Sequence, residues 1–406
     1  MTQVALPVQM YELTHSSFNV GLLGLSAFVP LVIFGLLGGS IADAVDRRKM
    51  ALLTSLGLTL TSVLLLAQAV GHWDQVWLLY LLSAIQSGLF GMDSPARATF
   101  APRLLPSSQM ASVAALRQIG FNLGMSAGPL IAGVVIGAFD VKAAFFVDVL
   151  SFSGSLYAIV RLPAMPPEGG GTKAGFRSVI EGFDYLRTQR IVLMTFIVDI
   201  VAMVFGMPRA LFPALAAGHF HAGPSAVGFL YAAPAIGALI GAVLSGPLGR
   251  VRRQGMAVLL SIVGWGVAIA LFGATSSLLL AVIFLALAGL ADMVSAVFRS
   301  AIMINATPDE MRGRLNGVFM VVVAGGPRLG DLESGGVAAA FSPTVSAVSG
   351  GLICVGVIAI LAVAVPSFTR FSVDPDADQE FNEANADGST LIQVAEATAM
   401  TELSGP

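Results

Sequence analysis

Charged residues stand inside several long apolar stretches of this sequence, where burial makes a charge costly, and six of them are candidate site residues. Asp199 lies in the apolar run 197–201 with no basic residue within helical reach, and Asp292 lies in a second such run. In a low-dielectric environment a carboxylate favours its protonated form, and a guanidinium holds an anion or pairs with an acid. We therefore expect reversible proton binding and charge pairing, with Asp199 as the first proton candidate and Asp292 as the second. The other four residues are Arg209, Arg328, Asp331 and Glu333.

The elements that hold these residues are membrane-spanning helices. The chain has 406 residues, of which 56% are hydrophobic and 11% are charged, whereas soluble domains carry about 25% charged residues. Apolar runs of about 20 residues, each long enough to cross about 30 Å of hydrocarbon, recur along the sequence. We predict an all-α membrane protein with one incomplete span before residue 14 and complete spans at 20–43, 51–70, 75–95, 111–138, 142–161, 191–216, 225–248, 255–273, 278–299, 314–341 and 344–366.

Basic residues set the predicted orientation, because Lys and Arg concentrate in cytoplasmic loops. Alternate loops, starting from Arg47-Arg48-Lys49 and counting Arg299, hold 17 of the 21 bases, and the opposite loops hold only Lys142. The loop 47–49 is therefore predicted to be cytoplasmic. The polar, acidic C-terminal segment 367–406 falls on the same side and is predicted to be a disordered cytoplasmic tail.

The start of the chain is short for a membrane span. Residues 1–13 would form a helix of about 20 Å at 1.5 Å per residue, less than the thickness of the hydrocarbon layer. We expect the first span to be truncated in this sequence, with about 30 to 40 further residues before it in the functional protein.

The two halves of the sequence resemble each other at an offset near 200 residues. Val20-Gly21-Leu22-Leu23 matches Val227-Gly228-Phe229-Leu230, and the stretch 88–92 matches 289–293. An even number of spans separates the copies, so the halves are predicted to be parallel repeats about an axis along the membrane normal. The predicted organisation is a first bundle at 1–162, a linker at 163–190 rich in Pro and Gly, and a second bundle at 191–366.

The loop after the second span carries Gly39, Asp43, Arg47 and Arg48. This pattern resembles the signature of the major facilitator superfamily, although Ala44 and Asp46 replace a base and a glycine of that signature. The resemblance implies a fold of two six-helix bundles that rock against each other, with these four residues as a charge latch. The alternative for the bases is that they only fix the topology.

A second stretch, with Gly124, Gly128, Pro129 and Gly133, resembles the antiporter motif of the same superfamily. In that motif spaced glycines let helices approach closely and the proline kinks the span, and the motif is associated with exporters. The alternative is ordinary small-residue packing between membrane helices.

Several shorter stretches, including 211–216, 227–233 and 307–317, resemble siderophore and multidrug exporters within the superfamily. The resemblance implies proton antiport of a siderophore or amphiphilic drug, and the alternative is uptake of a small solute by proton symport. In that fold the seventh and tenth spans line the cavity, which would place Asp199, Arg209 and Asp292 there.

Arg328, Asp331 and Glu333 form a cluster in the predicted span 314–341. Arg328 and Asp331 are three residues apart, so their alternative role is pairing within one helix. We expect no enzyme activity, cofactor, metal site or nucleic-acid partner. The expected partners are a small-molecule substrate, protons and the lipid bilayer, for a monomer in the cell membrane.

The latch interpretation predicts that Asp43→Asn slows transport while substrate affinity stays close to that of the wild type. The reason is that the latch lies at the cytoplasmic rim, away from the cavity. Transport rates and equilibrium binding, measured on the same preparations, check this expectation. A large loss of affinity with normal turnover would contradict it.

Overall fold

A computed structural model describes residues 1–166 and 176–372, and within these residues every regular element is helical. The long helices are separated by short breaks, as the recurring apolar runs predict. The helices are α1 (Thr2–Thr14), α2 (Ser17–Ala44), α3 (Arg47–Gly71), α4 (Val76–Ala98), α5 (Phe100–Leu104), α6 (Met110–Ala138), α7 (Val141–Val160), α8 (Phe176–Thr188), α9 (Arg190–Phe205), α10 (Phe212–Ala214), α11 (Ser225–Val243), α12 (Gln254–Ala274), α13 (Leu278–Asn305), α14 (Asp309–Ala340), α15 (Pro343–Ala364) and α16 (Pro366–Thr369).

Within the described residues, ten helical stretches are long and apolar enough to cross a bilayer. The predicted incomplete span corresponds to α1, and the predicted span at 314–341 corresponds to α14. Large aliphatic side chains point outward from these helices, for example Leu53, Leu116 and Val243 at 70%, 71% and 86% exposure. Only a hydrocarbon environment makes such a surface favourable.

Helix contacts repeat between the two halves of the chain. In the first half α3 packs against α4 and α7, and α2 packs against α4. In the second half α12 packs against α13 and α15, and α11 packs against α13. The correspondence of α2, α3, α4 and α7 with α11, α12, α13 and α15 follows the offset seen in the sequence. Two similar helical bundles result.

The bundles meet along two helix pairs, α2 with α14 and α6 with α11. Glycines allow the helix backbones to approach closely: a Cβ atom added at Gly133 would lie 2.6 Å from Cα of Gly228. A Cβ atom added at Gly21 would lie 2.3 Å from the backbone oxygen of Asp331. These contacts lie toward one end of the bundles, which we call the far end. The end that carries the α2–α3 loop is the basic end.

Toward the basic end, α6 separates from its neighbours. Residues 114–121 of α6 are exposed, and a Cβ atom added at Gly124 or Gly128 would meet no atom within 4 Å outside the helix. Of the predicted close-packing glycines, only Gly133 therefore contacts another helix in this conformation. Pro129 lies inside α6, and its backbone oxygen would be 2.6 Å from a Cβ atom at Gly228.

The segment predicted as a linker is attached to both bundles. Its start is held to the first bundle, since Met165 N–H donates to the carboxylate of Asp46 at 3.2 Å. Its end contains α8, which packs against α14 through Leu186, a residue only 2% exposed. Residues 167–175, in the middle of the predicted linker, lie outside the described part of the chain.

The predicted tail begins too early. Helix α16 packs against α12, where the oxygen of Phe368 would lie 1.8 Å from a Cβ atom at Gly255. Phe368 is 1% exposed, so an apolar side chain anchors this turn. The packed chain thus continues beyond the predicted boundary at 367, and residues 373–406 lie outside the described part.

We expect Gly133→Val to destabilise the protein by about 1–3 kcal/mol, because the added side chain must push α6 away from α11 at the far end. Gly124→Val is the matched control, since it makes the same change in the same helix where no neighbour lies within 4 Å. Thermal unfolding of both variants in detergent measures the difference. Equal loss of stability in the two variants would contradict the close contact at Gly133.

Candidate functional site

Three charged side chains meet where α9 packs against α13. Asp199 comes from the apolar helix α9, and Asp292 and Arg299 come from α13. The guanidinium of Arg299 donates through Nη1 to Oδ1 of Asp199, and its Nη2 lies 3.6 Å from Oδ1 of Asp292. One arginine therefore faces two carboxylates, and we call these three residues the charge trio.

The members of the charge trio differ in their access to solvent. The side chain of Asp199 is 4% exposed and that of Arg299 is 11% exposed, whereas that of Asp292 is 45% exposed. Because a charge facing lipid is strongly disfavoured, the exposed surface of Asp292 must border an internal space that water can enter. The trio thus links a hidden carboxylate to an accessible one.

The prediction that Asp199 is isolated is wrong. It considered only bases on the same helix, whereas Arg299 reaches Asp199 from α13. Arg299 was also assigned to a basic loop, but α13 continues to Asn305 and encloses it. The spacing could have revealed this, because Arg299 follows Asp292 by two helical turns and Ile302 and Met303 extend the apolar pattern beyond it.

A small cavity lies beside the hidden end of the charge trio. Its volume is about 30 Å³, and the polar residues Thr195, Asp199, Arg299 and Ser300 are among those that line it. A cavity of this size with polar partners can hold one water molecule. Phe196, Met303 and Phe319 cover its remaining sides. Asp199 thus has room for one water next to its carboxylate.

Arg328 and Asp331 of α14 form a second group of charges, nearer the far end. This group lies beside a break in the seventh span. Helix α9 ends at Phe205, a 3₁₀ turn follows at Arg209–Leu211, and α10 begins at Phe212. The break leaves backbone N–H groups without helical partners, and the N–H of Ala210 donates to Oδ1 of Asp331 at 3.1 Å. Asp331 therefore has a structural task that its sequence position did not indicate.

The second group joins both bundles. A Cβ atom at Gly24 of α2 would lie 3.3 Å from Oδ2 of Asp331, so the carboxylate is pressed against the opposite bundle. Arg209 and Arg328 are close enough to act electrostatically on Asp331, and Arg209 also acts on Asp292. Arg209 thus acts on an acid of each group.

The predicted pairing within α14 is not formed. Among the described residues, no ion pair within 4 Å joins Arg328 to Asp331, because the carboxylate turns toward the backbone of Ala210 instead. Glu333 is partly buried on the same helix. It is two residues from Asp331, which places it on a different helix face.

The α2–α3 loop is held by contacts inside the first bundle. Asp46 caps α3, since its carboxylate accepts from the backbone N–H of Arg48 at 2.9 Å and of Lys49 at 3.1 Å. Arg48 donates to the backbone oxygens of Ile159 and Val160 at the C-terminal end of α7. This favours the alternative role for Arg48, because a cation at a helix C-terminus is stabilising and the contact does not cross between bundles.

The other predicted latch residues are less completely described. The backbone N–H of Arg47 donates to the oxygen of Met165 at 3.1 Å. Gly39 and Asp43 lie in α2. The burial and contacts of these two residues fall outside what the structure describes. The latch remains a prediction.

The basic end of the first bundle holds an ionic network that the sequence analysis did not assign. Asp93 pairs with Arg97 one turn later on α4, and its other oxygen accepts from Thr54 at 2.7 Å. Arg97 also donates to Ser55 and Ser155 at 2.8 and 3.2 Å. These bonds tie α3, α4 and α7 together. The i,i+4 spacing of Asp93 and Arg97 was visible in the sequence.

The next question is whether the described part of the chain holds a group of metal ligands. Within those residues, no group of three or more His, Cys, Asp or Glu side chains is placed to hold a metal ion.

Two helical bundles that cross a membrane and enclose ionisable residues define a secondary transporter rather than an enzyme. The chain belongs to the transmembrane secretion effector family of the major facilitator superfamily, whose sequence profile matches residues 1–394. The resemblance seen in the loop after the second span is thereby confirmed, and so is the predicted fold class.

Similar proteins point in the same direction. Enterobactin exporters from Shigella boydii and Escherichia coli are each 30% identical over 378 residues, which cover 92% of this chain and 89% of the relative. The crystal structure of nucleoside transporter NupG matches with a TM-score of 0.69 at 15% identity, covering 91% of this chain and 97% of that one. The human organic anion transporter MFSD10 matches with a TM-score of 0.56 at 16% identity, covering 85% and 83%. The structural matches show a shared fold.

The contact between Asp331 and Ala210 predicts different effects for two substitutions. Asp331→Asn keeps an oxygen acceptor for the Ala210 N–H and should leave stability nearly unchanged. Asp331→Leu leaves that N–H unpaired and should cost about 1–3 kcal/mol. Thermal unfolding compares the two variants. If Asp331→Asn destabilises as much as Asp331→Leu, the charge and not the acceptor matters.

Proposed function

We propose that the protein exports a siderophore or a related amphiphilic small molecule in exchange for protons, by alternating access of a site between the two bundles. The charge trio carries this proposal. Two carboxylates share one guanidinium in the trio, and the one on Asp199 is only 4% exposed, so a proton on Asp199 would release the guanidinium to Asp292.

The direction of transport is supported by two observations. The relatives that align over most of the chain are exporters of enterobactin, a siderophore. In addition, the stretch that resembles an antiporter motif supplies Gly133 to the contact between α6 and α11. A helix pair that touches through glycines can separate without disentangling side chains, as alternating access requires.

The proposal assigns roles to the predicted site residues. Asp199 binds the coupled proton, Asp292 contacts the substrate from the accessible space, and Arg209 holds negative charge on the substrate or on neighbouring acids. Arg328 and Asp331 form the second group of charges, and Glu333 is a further candidate for proton or substrate binding on α14. The proposal further assigns a monomer in the cell membrane, with the basic end and the C-terminus in the cytoplasm.

Reconstitution in vesicles tests the proposal with enterobactin as the probe. An imposed pH gradient should drive uphill transport by the wild type, since each proton that moves down one pH unit supplies about 1.4 kcal/mol. Asp199→Asn should reduce uphill transport to the background without a gradient while counterflow at saturating enterobactin persists. This variant should fold, because Arg299 keeps Asp292 as a partner.

Asp292→Asn is the matched variant, since it removes the other carboxylate of the charge trio. We expect it to weaken enterobactin binding and to leave gradient-driven transport measurable at high substrate. Normal pumping by Asp199→Asn with none by Asp292→Asn would exchange the two roles. Normal pumping by both would exclude the charge trio as the coupling site, and accumulation in the opposite direction would indicate uptake.

A further inference from the structure

Arg299 was not among the predicted site residues, yet it is the only member of the charge trio that contacts both others. It reaches Asp199 on α9 through Nη1 and lies 3.6 Å from Asp292 through Nη2. The contact with Asp199 is the closer of the two, so Asp292 keeps an accessible carboxylate. A small movement of one side chain would reverse that preference.

The charges permit two balanced states. With Asp199 protonated, the charge of Arg299 is left to Asp292, and the trio is neutral. With Asp199 ionised, Arg299 is held by Asp199, and Asp292 is free to accept hydrogen bonds or a positive charge from a substrate. In the state with neither proton nor substrate, one guanidinium serves two carboxylates, and Arg209 acts on Asp292 from outside the trio, so binding a proton or a substrate is favourable.

We propose that Arg299 is the positioning residue that makes proton and substrate binding mutually exclusive, by moving its charge between Asp199 and Asp292. This inference rests on the proposed function and names how the same site is coupled. When Asp199 takes a proton from a hydronium ion that enters the adjacent cavity, a water molecule is left behind, an O–H bond forms on the carboxylate and the hydrogen bond from Arg299 breaks. The guanidinium then binds Asp292 and blocks it for the substrate.

The surroundings leave few other charges to act on this exchange. Among the described residues, the charges that act on Asp199 are those of Arg299 and Asp292. Asp292 feels Arg299 and Arg209, and Arg209 lies beside the second group of charges. Arg209 therefore adds a constant positive potential at Asp292, whereas Arg299 supplies the part that moves. The substrate class that fits Asp292 bears hydrogen-bond donors, such as phenolic O–H groups, or a positive charge.

A second-site suppression experiment tests the role of Arg299. Asp199→Asn mimics the protonated carboxyl, so Arg299 should stay on Asp292 and enterobactin should bind weakly at every pH. Adding Arg299→Gln to that variant removes the blocking charge and should restore binding. The double variant keeps the net charge of the wild-type trio, with Asp292 ionised, whereas Arg299→Gln alone would leave two carboxylates without that base.

Wild-type binding supplies the pH readout. Calorimetric titration with enterobactin, and with tetraphenylphosphonium as a cationic probe, should show affinity falling as the pH falls. The limit is about tenfold per pH unit when one proton is exchanged for one substrate. Affinity in Asp199→Asn and in the double variant should be independent of this proton, low in the first and high in the second. Arg299→Lys keeps the charge and should keep the pH dependence.

Several outcomes would overturn the inference. If the double variant binds as weakly as Asp199→Asn or more weakly, Arg299 has only a structural role. Loss of the pH dependence in Arg299→Lys would also exclude a moving charge. Infrared difference spectra between acid and alkaline pH provide a readout without ligand: the wild type should gain one protonated-carboxyl band that Asp199→Asn lacks, and its absence contradicts the exchange.

Failure of the proposed function is distinguishable. A wild type that binds either probe but shows no gradient-driven transport would refute proton-coupled export, while the suppression pattern still tests Arg299. A wild type that binds neither probe would refute the proposed substrate class, and the infrared result alone would then decide the exchange.

Discussion

The contact between Asp199 and Arg299 is the interaction on which the arrangement of the second bundle depends. Placing a carboxylate inside a membrane helix is tolerable only when a partner compensates its charge, and here the partner comes from another helix. The ion pair therefore fixes how α9 sits against α13. Because Arg299 also lies near Asp292, the same contact determines which carboxylate remains accessible. The guanidinium of Arg299 therefore both stabilises the helix packing and takes part in the chemistry of the site.

The same principle, that buried polar groups need partners, explains the rest of the charged interior. In the first bundle Asp93 and Arg97 neutralise each other and bind hydroxyl groups from α3 and α7. That network is balanced, with one acid for one base, so it has no charge left over for a ligand. The charge trio has two acids for one base, and Arg209 acts on Asp292 from outside it. The Asp93–Arg97 network and the charge trio therefore differ in their ratio of acids to bases.

Much of the fold could be predicted because hydrophobic length and repeat spacing determine it. The spans from residue 20 onward follow from apolar runs, and the matching helix contacts in the two halves follow from the repeat. The site was predicted less well. Asp199 and Asp292 stood out as charges in apolar runs, but the contact of Asp199 with Arg299 joins residues 100 positions apart. Sequence spacing along one helix cannot reveal such a partner. The bond from Ala210 to Asp331 was equally hidden, because it depends on a helix break that apolar composition does not show.

The attachment of the linker at both ends has a geometric consequence. Pro166 directly follows Met165, which is bound to Asp46 of the first bundle, and Phe176 begins the helix that packs on α14 of the second. Ten peptide steps join these two points, and an extended chain spans at most about 35 Å over that length. As long as both attachments hold, the covalent chain between them limits their separation. It caps the distance that the basic ends of the two bundles can move apart, whatever the substrate or the proton does.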